Sequence, residues 1–382
     1  MTNLLDNLSF RDWWLLLTSV TIGVFVFQSL VFLFGLFRLP KQVQLSQGAL
    51  PFVSVVIAAR NEEQNIGRTL QSLSKLDYPK THYEIIVVDG ASVDRTAEIV
   101  KEHALLNPVI RLIPVDLTRP LKGKANAIDQ AIDVARGEII MMTDADCEVE
   151  PTWISTAVKH FTEPIGLVCG VTLPKGYNFF SKIQAIDWAY ILGTSSALAS
   201  LGVPIGGIGN NFNFRKQTYQ EIGGYRNIKF SVTEDFMLFQ TIARSRWKIA
   251  FPALKEMHNV TEPMPTIEEL YIQKKRWTLG ALDASFGQSL YATLMFMVHA
   301  LTLISVFILP ASVWAPMMGI KILADAIIIT PVMMRFEKLK YFIAYPAFQI
   351  YFYFYVLLVP FILLFSREVV WKGITYQVST KT

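Results

Sequence analysis

The chain has 382 residues, of which 52% are hydrophobic and only 17% are charged. This balance is typical of a membrane protein that also carries a soluble domain. The formal net charge of +4 is small and no basic cluster is interleaved with aromatic residues, which argues against a nucleic-acid-binding protein. Cys147 and Cys169 lack the spacing of a disulfide framework or a zinc site, so we expect two core thiols.

The first predicted element is a membrane-spanning helix. No charged residue occurs from Trp13 to Phe37, and a helix of that length crosses the roughly 30 Å hydrocarbon core of a bilayer. The run is longer than the apolar part of a signal peptide, so we expect it to remain in the mature protein. Residues 1–45 are therefore predicted to form a transmembrane helix and a linker. Arg38 and Lys41 indicate that the domain after it is cytosolic.

The middle of the chain, residues 46–288, alternates between strand and helix patterns. Such alternation predicts an α/β domain with a mostly parallel sheet. The predicted strands are Pro51–Ala59, Tyr83–Val88, Val109–Val115 and Glu138–Thr143. The predicted helices are Asn61–Leu76, Val93–Leu105 with Ser92 as its cap, and Lys124–Ala135.

Polar side chains follow three of these strands. They are Arg60, Asn61 and Glu62 after the first, Asp89 after the second, and Asp144 and Asp146 after the fourth. Ligands of open α/β sheets bind at the carboxyl ends of strands, so we expect these side chains to share one site. Asp144 and Asp146 flank a small alanine, an arrangement that suits magnesium or manganese with phosphate oxygens as further ligands. As an isolated tripeptide it also fits a solvated acidic turn.

Two features further along the chain follow from local composition. The apolar segment from Phe179 to Leu201 contains Lys182 and Asp187, which favours an interfacial helix beside the acceptor entrance over a membrane span. His258 is a lone histidine among polar residues and is predicted to be solvated.

Residues 289–382 are predicted to form a C-terminal membrane domain of about three helices. The uncharged run Leu290–Ile320 is interrupted by Pro310 and Pro316, which predicts one span, a turn and the beginning of the next. The segment Phe342–Phe365 predicts the last span.

The span between them, roughly Trp314–Met334, contains two charged residues, Lys321 and Asp325. The carboxylate is costly in lipid unless it faces another helix. Four spans with a cytosolic middle domain would place Arg367 and Lys372 outside, against the positive-inside tendency. This conflict leaves open that one span is re-entrant or interfacial.

Six short motifs occur in a fixed order between residues 59 and 277. They are Ala59-Arg60-Asn61-Glu62, Asp89-Gly90-Ala91-Ser92-Val93-Asp94, Gly123-Lys124-Ala125-Asn126-Ala127, Asp144-Ala145-Asp146, Thr233-Glu234-Asp235 and Gln273-Lys274-Lys275-Arg276-Trp277. In this order they resemble the family 2 glycosyltransferases of the GT-A fold that are embedded in membranes, such as cellulose, chitin and hyaluronan synthases and ceramide glucosyltransferase. The resemblance covers residues 52 to about 280. One departure is Gly90, where the family often has a second aspartate.

The resemblance implies a nucleotide-sugar donor, expected to be a UDP-sugar, and a divalent cation, magnesium or manganese. The residues implied are Glu62, Asp89, Lys124, Asp144 and Arg276 for the donor, Asp146 and Asp144 for the metal, Gln273 and Trp277 for the acceptor, and Asp235 and Glu234 for catalysis. Asp235 is the candidate general base, because an inverting displacement needs a carboxylate that accepts the proton of the acceptor hydroxyl.

Several of these residues also have a purely structural interpretation. Asp94 could stabilise a helix dipole, and Glu234 and Asp235 could cap the helix that follows them. Trp277 could be an interfacial anchor of an amphipathic helix.

The predicted activity is the metal-dependent, inverting transfer of a sugar to a membrane lipid or a lipid-linked acceptor, at the cytosolic face of the inner membrane. The alternative is a processive polysaccharide synthase, which uses the same motifs but needs a channel, whose one polar indication is the charged helix near Asp325. A non-catalytic membrane scaffold is a third hypothesis, and the presence of Asp144, Asp146 and Asp235 argues against it. The acceptor is thus a lipid or a glycan, and the oligomeric state stays open.

Overall fold

The computed structural model describes residues 8–38, 40–43, 50–229, 231–280, 284–365, 368–371 and 374–377. The helices there are α1 (Phe10–Phe37), α2 (Ile66–Leu73), α3 (Thr96–Leu106), α4 (Gly123–Val134), α5 (Trp153–Ala157), α6 (Phe179–Ser200), α7 (Lys216–Glu221), α8 (Glu234–Ala243), α9 (Ile267–Gly280), α10 (Phe286–Ile308), α11 (Ala311–Arg335) and α12 (Tyr345–Phe365). The strands are β1 (Val53–Ala59), β2 (Tyr83–Asp89), β3 (Ile110–Pro114), β4 (Ile139–Met142), β5 (Cys147–Val149), β6 (Ile165–Cys169), β7 (Thr172–Pro174), β8 (Phe212–Arg215), β9 (Lys248–Ala250), β10 (Asn259–Thr261), β11 (Glu368–Trp371) and β12 (Ile374–Gln377).

The core of the α/β domain is a seven-stranded sheet with the order β3-β2-β1-β4-β8-β6-β9. Strands β3, β2, β1 and β4 are parallel, whereas β8 runs antiparallel to both β4 and β6. Helices cover both faces of a sheet of this kind, so its strands consist of nearly continuous apolar residues. The predicted mostly parallel α/β fold is confirmed, and each of the four predicted strands is found within two residues of its expected bounds.

Two local predictions around the sheet are wrong. The helix expected over Asn61–Leu76 is confined to α2, and Asn61 has φ +53°, a left-handed conformation that a helix cannot contain. Ser92 does not cap α3, which begins four residues later at Thr96. Its Oγ instead accepts a hydrogen bond from the Asn61 N–H at 3.0 Å, so the loops after β1 and β2 bind each other.

Helix α6 is a central packing element of the structure. It contacts α1, α11 and α12 on one side and β7 and β9 of the α/β domain on another. Most of its residues are buried, among them Asp187 and Trp188. This burial differs from the exposed polar face that a helix lying on a membrane surface would have.

Four helical segments are long and apolar enough to cross a membrane, within the residues described above: Phe10–Phe37, Phe286–Ile308, Ala311–Arg335 and Leu339–Ile362. The expected break near Pro310 is confirmed, since α10 ends at Ile308 and Pro310 precedes the first residue of α11. Pro316 lies inside α11 and does not end it. The two cysteines are buried and unbridged, as expected of core thiols.

The charged residues of α11 form an ion pair inside the helix bundle. Lys321 Nζ lies 2.8 Å from Asp325 Oδ2, and both side chains are fully buried. Gln349 of α12 closes the cluster, because its amide accepts from Lys321 at 3.1 Å and donates to Asp325 at 3.0 Å. The expectation that Asp325 must face another helix is thereby met.

Breaking this pair should destabilise the bundle. We expect Asp325→Leu to lower the free energy of unfolding by about 3–5 kcal/mol, because it leaves the Lys321 ammonium buried without its counter-ion. Thermal unfolding of the detergent-solubilised protein measures the effect.

The double variant Lys321→Met with Asp325→Leu is the matched control. It removes both charges at similar volume and should unfold close to the wild-type temperature. A double variant as unstable as the single one would show that the pair matters for more than mutual neutralisation.

Candidate active site

A cavity of about 1190 Å³ opens at the carboxyl edge of β1, β2 and β4. One wall consists of the loops after these strands, and the opposite wall consists of the segment after β10 together with α9. Among the residues predicted for the site, six line the cavity: Glu62, Lys124, Asp144, Asp146, Glu234 and Arg276. The four others in the described chain, Asp89, Asp235, Gln273 and Trp277, lie outside its lining.

The loops that follow β1 and β2 form part of the first wall of the cavity. Asn61 Oδ1 accepts from the Val93 N–H at 2.9 Å, and Asp94 Oδ2 accepts from the Glu63 N–H at 3.1 Å. The Glu62 N–H donates to Thr96 Oγ1 at 2.7 Å. Asp94 therefore ties the two loops together, in agreement with a structural role.

Asp89 and Gly90 shape the end of β2. The carboxylate of Asp89 accepts from the Ser92 N–H, with both oxygens at 3.3 Å. The Gly90 N–H donates to the Ala59 carbonyl at 2.7 Å, and a Cβ at Gly90 would lie 3.2 Å from that oxygen. Gly90 thus lets the two backbones approach closely at the cavity wall.

A cluster of one cation and two carboxylates occupies the wall of the cavity. Lys124, in the first turn of α4, lies 2.5 Å from Asp144 Oδ1 and 3.7 Å from Glu234 Oε1. Burial opposes the charge on Lys124, but Asp144, Glu234 and Asp235 outweigh that effect and raise its pKa. Burial also raises the pKa of Glu234, against the opposing effect of Lys124. Charge at this wall is therefore shared between α4, the end of β4 and α8.

Asp146 lies beside Asp144 on the same wall. Its Oδ2 accepts from Thr261 Oγ1 at a long distance of 3.3 Å, at the end of β10. In the described part of the chain no group of three or more histidine, cysteine, aspartate or glutamate side chains could hold a metal ion. The two carboxylates fit a magnesium or manganese ion that takes its further ligands from phosphate oxygens and water.

Asp235 is adjacent to Glu234 but faces a different element. Its Oδ2 accepts from the Gly209 N–H at 2.6 Å, and its Oδ1 accepts from the Phe236 N–H at 2.8 Å. Gly209 lies between α6 and β8, so the carboxylate of Asp235 is fixed against that loop. The helix predicted to follow it is confirmed as α8.

Helix α9 has two stripes of side chains that face in different directions. Glu269, Ile272 and Arg276, spaced three and four residues apart, line the cavity. Gln273 and Trp277, at the same helical spacing, face the protein interior. Gln273 is 6% exposed, and the Trp277 ring lies 5.3 Å from the Trp188 ring of α6.

The acceptor-binding role of Gln273 and Trp277 stays a prediction, and both residues lie outside the lining of the cavity. Gln273 and Arg276 are three positions apart and are neighbours on α9, yet Arg276 lines the cavity and Gln273 is buried outside its lining. The Trp277 ring is also covered by the Lys274 ammonium at 4.4 Å. The Trp277 ring therefore packs against Trp188 and Lys274, and its side chain is partly exposed.

Sequence motifs missed the segment Glu262–Pro265, which lines the cavity opposite the strand ends. Glu262 accepts ion-pair contacts from Arg68 at 3.0 Å and from Lys175 at 2.9 Å. The available signal was the pair Pro263 and Pro265, which marks an extended connection between β10 and α9.

The environment of His258 also differs from its prediction. It is 3% exposed and its ring lies 4.7 Å from the Phe336 ring. Burial lowers its pKa to about 3, and the nearby Lys338 and Lys255 act in the same direction. The prediction of a solvated histidine is wrong, because the loop is covered by the end of α11.

The sheet topology and a cavity with both carboxylates and cations at the strand ends define a GT-A-type transferase fold. The family model for glycosyl transferase family 2 matches residues 54–235. The segment 54–235, which includes the strand-end residues of the cavity, is therefore similar to family 2 glycosyl transferase domains.

Two curated relatives and one solved structure illustrate the similarity. A beta-monoglucosyldiacylglycerol synthase from Nostoc sp. is 31% identical over 257 residues, 64% of this chain and 52% of that protein. A poly-beta-1,6-N-acetyl-D-glucosamine synthase from Staphylococcus epidermidis is 29% identical over 232 residues, 60% of this chain and 54% of that protein. The chain spans about half the length of these relatives.

A mannosyltransferase from Pyrobaculum calidifontis, solved in complex with GDP-Man and Mn2+, has a TM-score of 0.60 and 19% sequence identity. The alignment covers 88% of this chain and 99% of that one. This likeness is one of fold.

The charge cluster predicts a shift in the pH dependence of transfer. The raised pKa of Glu234 means that this carboxyl is protonated at higher pH than an exposed one as the solution is acidified. Lys124 opposes that rise, so Lys124→Met should move the acid limb of the pH profile to higher pH and lower the rate by about 100-fold. Initial rates between pH 4.5 and 9 measure both effects.

Lys122→Met is the control, since Lys122 lines the same cavity outside this cluster. It should leave the acid limb at the wild-type position. An unshifted limb in Lys124→Met would contradict the electrostatic coupling of Lys124 and Glu234.

Proposed function

We propose that the chain transfers one sugar from a UDP-sugar to a membrane lipid or lipid-linked acceptor, with inversion at the anomeric carbon. The observation that carries the proposal is the construction of the cavity. One wall carries the strand-end carboxylates of the family 2 domain. The other consists of Glu262–Pro265 and α9, and α9 contacts α12 and, through Lys274 and Trp277, α6. A donor site whose wall packs against a candidate membrane span suits an acceptor that arrives from the bilayer.

The donor diphosphate would bind between the two walls. Arg276 presents a guanidinium fork from α9, and Lys124 presents its ammonium from α4. Asp144 and Asp146 would hold a magnesium or manganese ion, which would neutralise charge on the leaving diphosphate. Glu62 and Asp89 would fix the nucleotide end, Glu62 from within the cavity lining and Asp89 through the loop that it shapes.

Asp235 remains the proposed general base. In a single inverting displacement the acceptor oxygen attacks opposite the leaving diphosphate, so its proton acceptor should lie away from the donor phosphates. The placement of Asp235 against Gly209, outside the lining of the donor cavity, supports this arrangement. Glu234 would hold its negative charge beside Lys124 and attract Arg276 as well, so transfer would need Glu234 ionised.

The α/β domain is proposed to face the cytosol at the inner membrane. Arg38 and Lys41 follow the first candidate span, and Arg335, Lys338 and Lys340 separate the last two. Loops that carry such residues are retained on the cytosolic side.

A processive polysaccharide synthase is the second candidate, favoured by the similarity to the Staphylococcus epidermidis synthase. Such an enzyme needs a polar path for its product. The charged residues that suggested one, Lys321 and Asp325, are fully buried and bind each other and Gln349. This arrangement supports the lipid acceptor.

The activity experiment is UDP release by the purified protein in detergent with UDP-glucose, UDP-galactose or UDP-N-acetylglucosamine, with and without diacylglycerol. We expect release that needs manganese or magnesium, rises with the lipid and yields a glycolipid. Asp146→Ala should weaken metal-dependent donor binding by about tenfold or more.

Three results would contradict parts of this proposal. Release that is unaffected by chelator would remove the metal role. A growing high-mass carbohydrate without added lipid would favour the synthase. Absence of release with every nucleotide-sugar and lipid would favour the non-catalytic scaffold.

The general base can be tested with two kinds of variant. Asp235→Asn should lower kcat by about 10²–10⁴-fold while UDP binding stays unchanged, because it removes the proton acceptor at similar size and leaves one of the two backbone N–H groups that Asp235 binds without its acceptor. Gly209→Ala should also lower kcat, by about 100-fold, because its Cβ would lie 2.9 Å from Asp235 Oδ2 and displace the carboxylate.

Gly206→Ala is the matched control in the same loop. Its Cβ would meet Phe236 at 3.8 Å, an ordinary contact, so activity should remain near the wild-type value. Full activity of Asp235→Asn would rule out Asp235 as the base.

A further inference from the structure

The cavity wall formed by Glu262–Pro265 and α9 is attached to α6 by specific polar contacts. The side-chain amide of Gln184 donates to the Met264 carbonyl at 2.9 Å and accepts from the Met264 N–H at 2.8 Å. Gln184 is buried, and this double hydrogen bond fixes the backbone of a residue that lines the cavity. Met264 thus has its position set from α6.

A second contact lies one helical turn further along α6. Asp187 forms an ion pair with Lys274 of α9, and the side chains are 0% and 3% exposed. The Lys274 ammonium also lies over the Trp277 ring and 4.9 Å from the centroid of the Tyr355 ring of α12. Lys274 is therefore enclosed by three helices.

Gln184, Asp187 and Trp188 are three and four residues apart, so they form one face of α6. Each contacts a different part of the same wall, namely Met264, Lys274 and Trp277. Two residues after Lys274 the helix presents Arg276 to the cavity, on the opposite side of α9. A shift of Lys274 would consequently move Arg276.

The contact between Asp187 and Lys274 is an ion pair and not an apolar contact. Replacing a buried ion pair by apolar side chains of similar volume is often neutral or stabilising, so such a pair is weak evidence for a role in stability. The best-attested use of buried polar groups is to fix the register of the elements that carry them. Burying Asp187 and Lys274 completely, beside rings of Trp277 and Tyr355, is thus suited to positioning α9.

We propose that Gln184 and Asp187 are positioning residues of the transferase, which hold the Glu262–Pro265 segment and α9 so that Arg276 faces the donor diphosphate. The role of Arg276 in this inference rests on the proposed function. Because α6 also packs against α1, α11 and α12, the same contacts set the wall relative to the candidate membrane spans.

The kinetic test is a double-mutant cycle. Rates are measured at saturating donor, which gives kcat, and at limiting donor, which gives kcat/KM. We expect Asp187→Asn to lower kcat/KM at least tenfold, and Arg276→Lys to do so as well. If Asp187 acts through Arg276, adding Asp187→Asn to Arg276→Lys should change the rate less than twofold. If the double variant instead lowers kcat/KM by the product of the two single effects, Asp187 and Arg276 act independently and the proposal is overturned.

Two adjacent lysines provide a matched control. Lys274 is buried against Asp187, whereas the next residue, Lys275, is partly exposed. We expect Lys274→Met to lower kcat/KM at least tenfold and Lys275→Met to leave it within twofold. Equal effects would contradict a role of the buried pair.

Hydrogen–deuterium exchange tests the positioning role without turnover. Its result does not depend on whether the proposed transfer reaction is correct. In Gln184→Leu and Asp187→Asn, peptides from residues 262–277 should exchange at least tenfold faster while β2 keeps its protection. If a single variant unfolds, the double variant Asp187→Leu with Lys274→Met takes its place, because it removes both buried charges together. It should stay folded but keep the kinetic defect, and full recovery of kcat/KM would overturn the positioning role.

Discussion

The packing of α9 against α6 is the contact on which the geometry of the cavity depends. The sheet supplies the first wall, and its position follows from strand register: Val53 pairs with both Tyr83 and Ile139, so the parallel strands begin together and end at one edge. The second wall follows β10, and it is held by Gln184 and Asp187 from α6, itself surrounded by the apolar helices.

The charges of the cavity are divided between its two walls. Lys124 forms an ion pair with Asp144 and approaches Glu234, and Asp146 accepts a hydrogen bond from Thr261 on the same wall. Arg276 lines the cavity from the other wall. A diphosphate bound with a divalent cation would suit this division, because it brings negative charge to the two cations and positive charge to the two aspartates.

Much of the fold was predictable from sequence for identifiable reasons. Strands β1, β2 and β4 are nearly continuous apolar runs, and the candidate spans are long and almost free of charge, so composition alone locates them. The conformation of Asn61 was not predictable, since it depends on hydrogen bonds with residues 92–93 of a neighbouring loop. The burial of His258 likewise depends on Phe336, which lies 78 residues away in sequence.

The motif around Arg276 shows that residue types in a fixed order can indicate a family without showing which way each side chain faces. The pattern specifies Gln273, Arg276 and Trp277 and leaves position 274 unrestricted, yet in this chain Lys274 is the residue buried in an ion pair. Helical spacing makes Gln273 a neighbour of Arg276, so periodicity alone does not separate the residue that lines the cavity from the one that is buried. That separation depends on the elements packed around α9, and the partner of Lys274, Asp187, lies on another helix, so both required the structure.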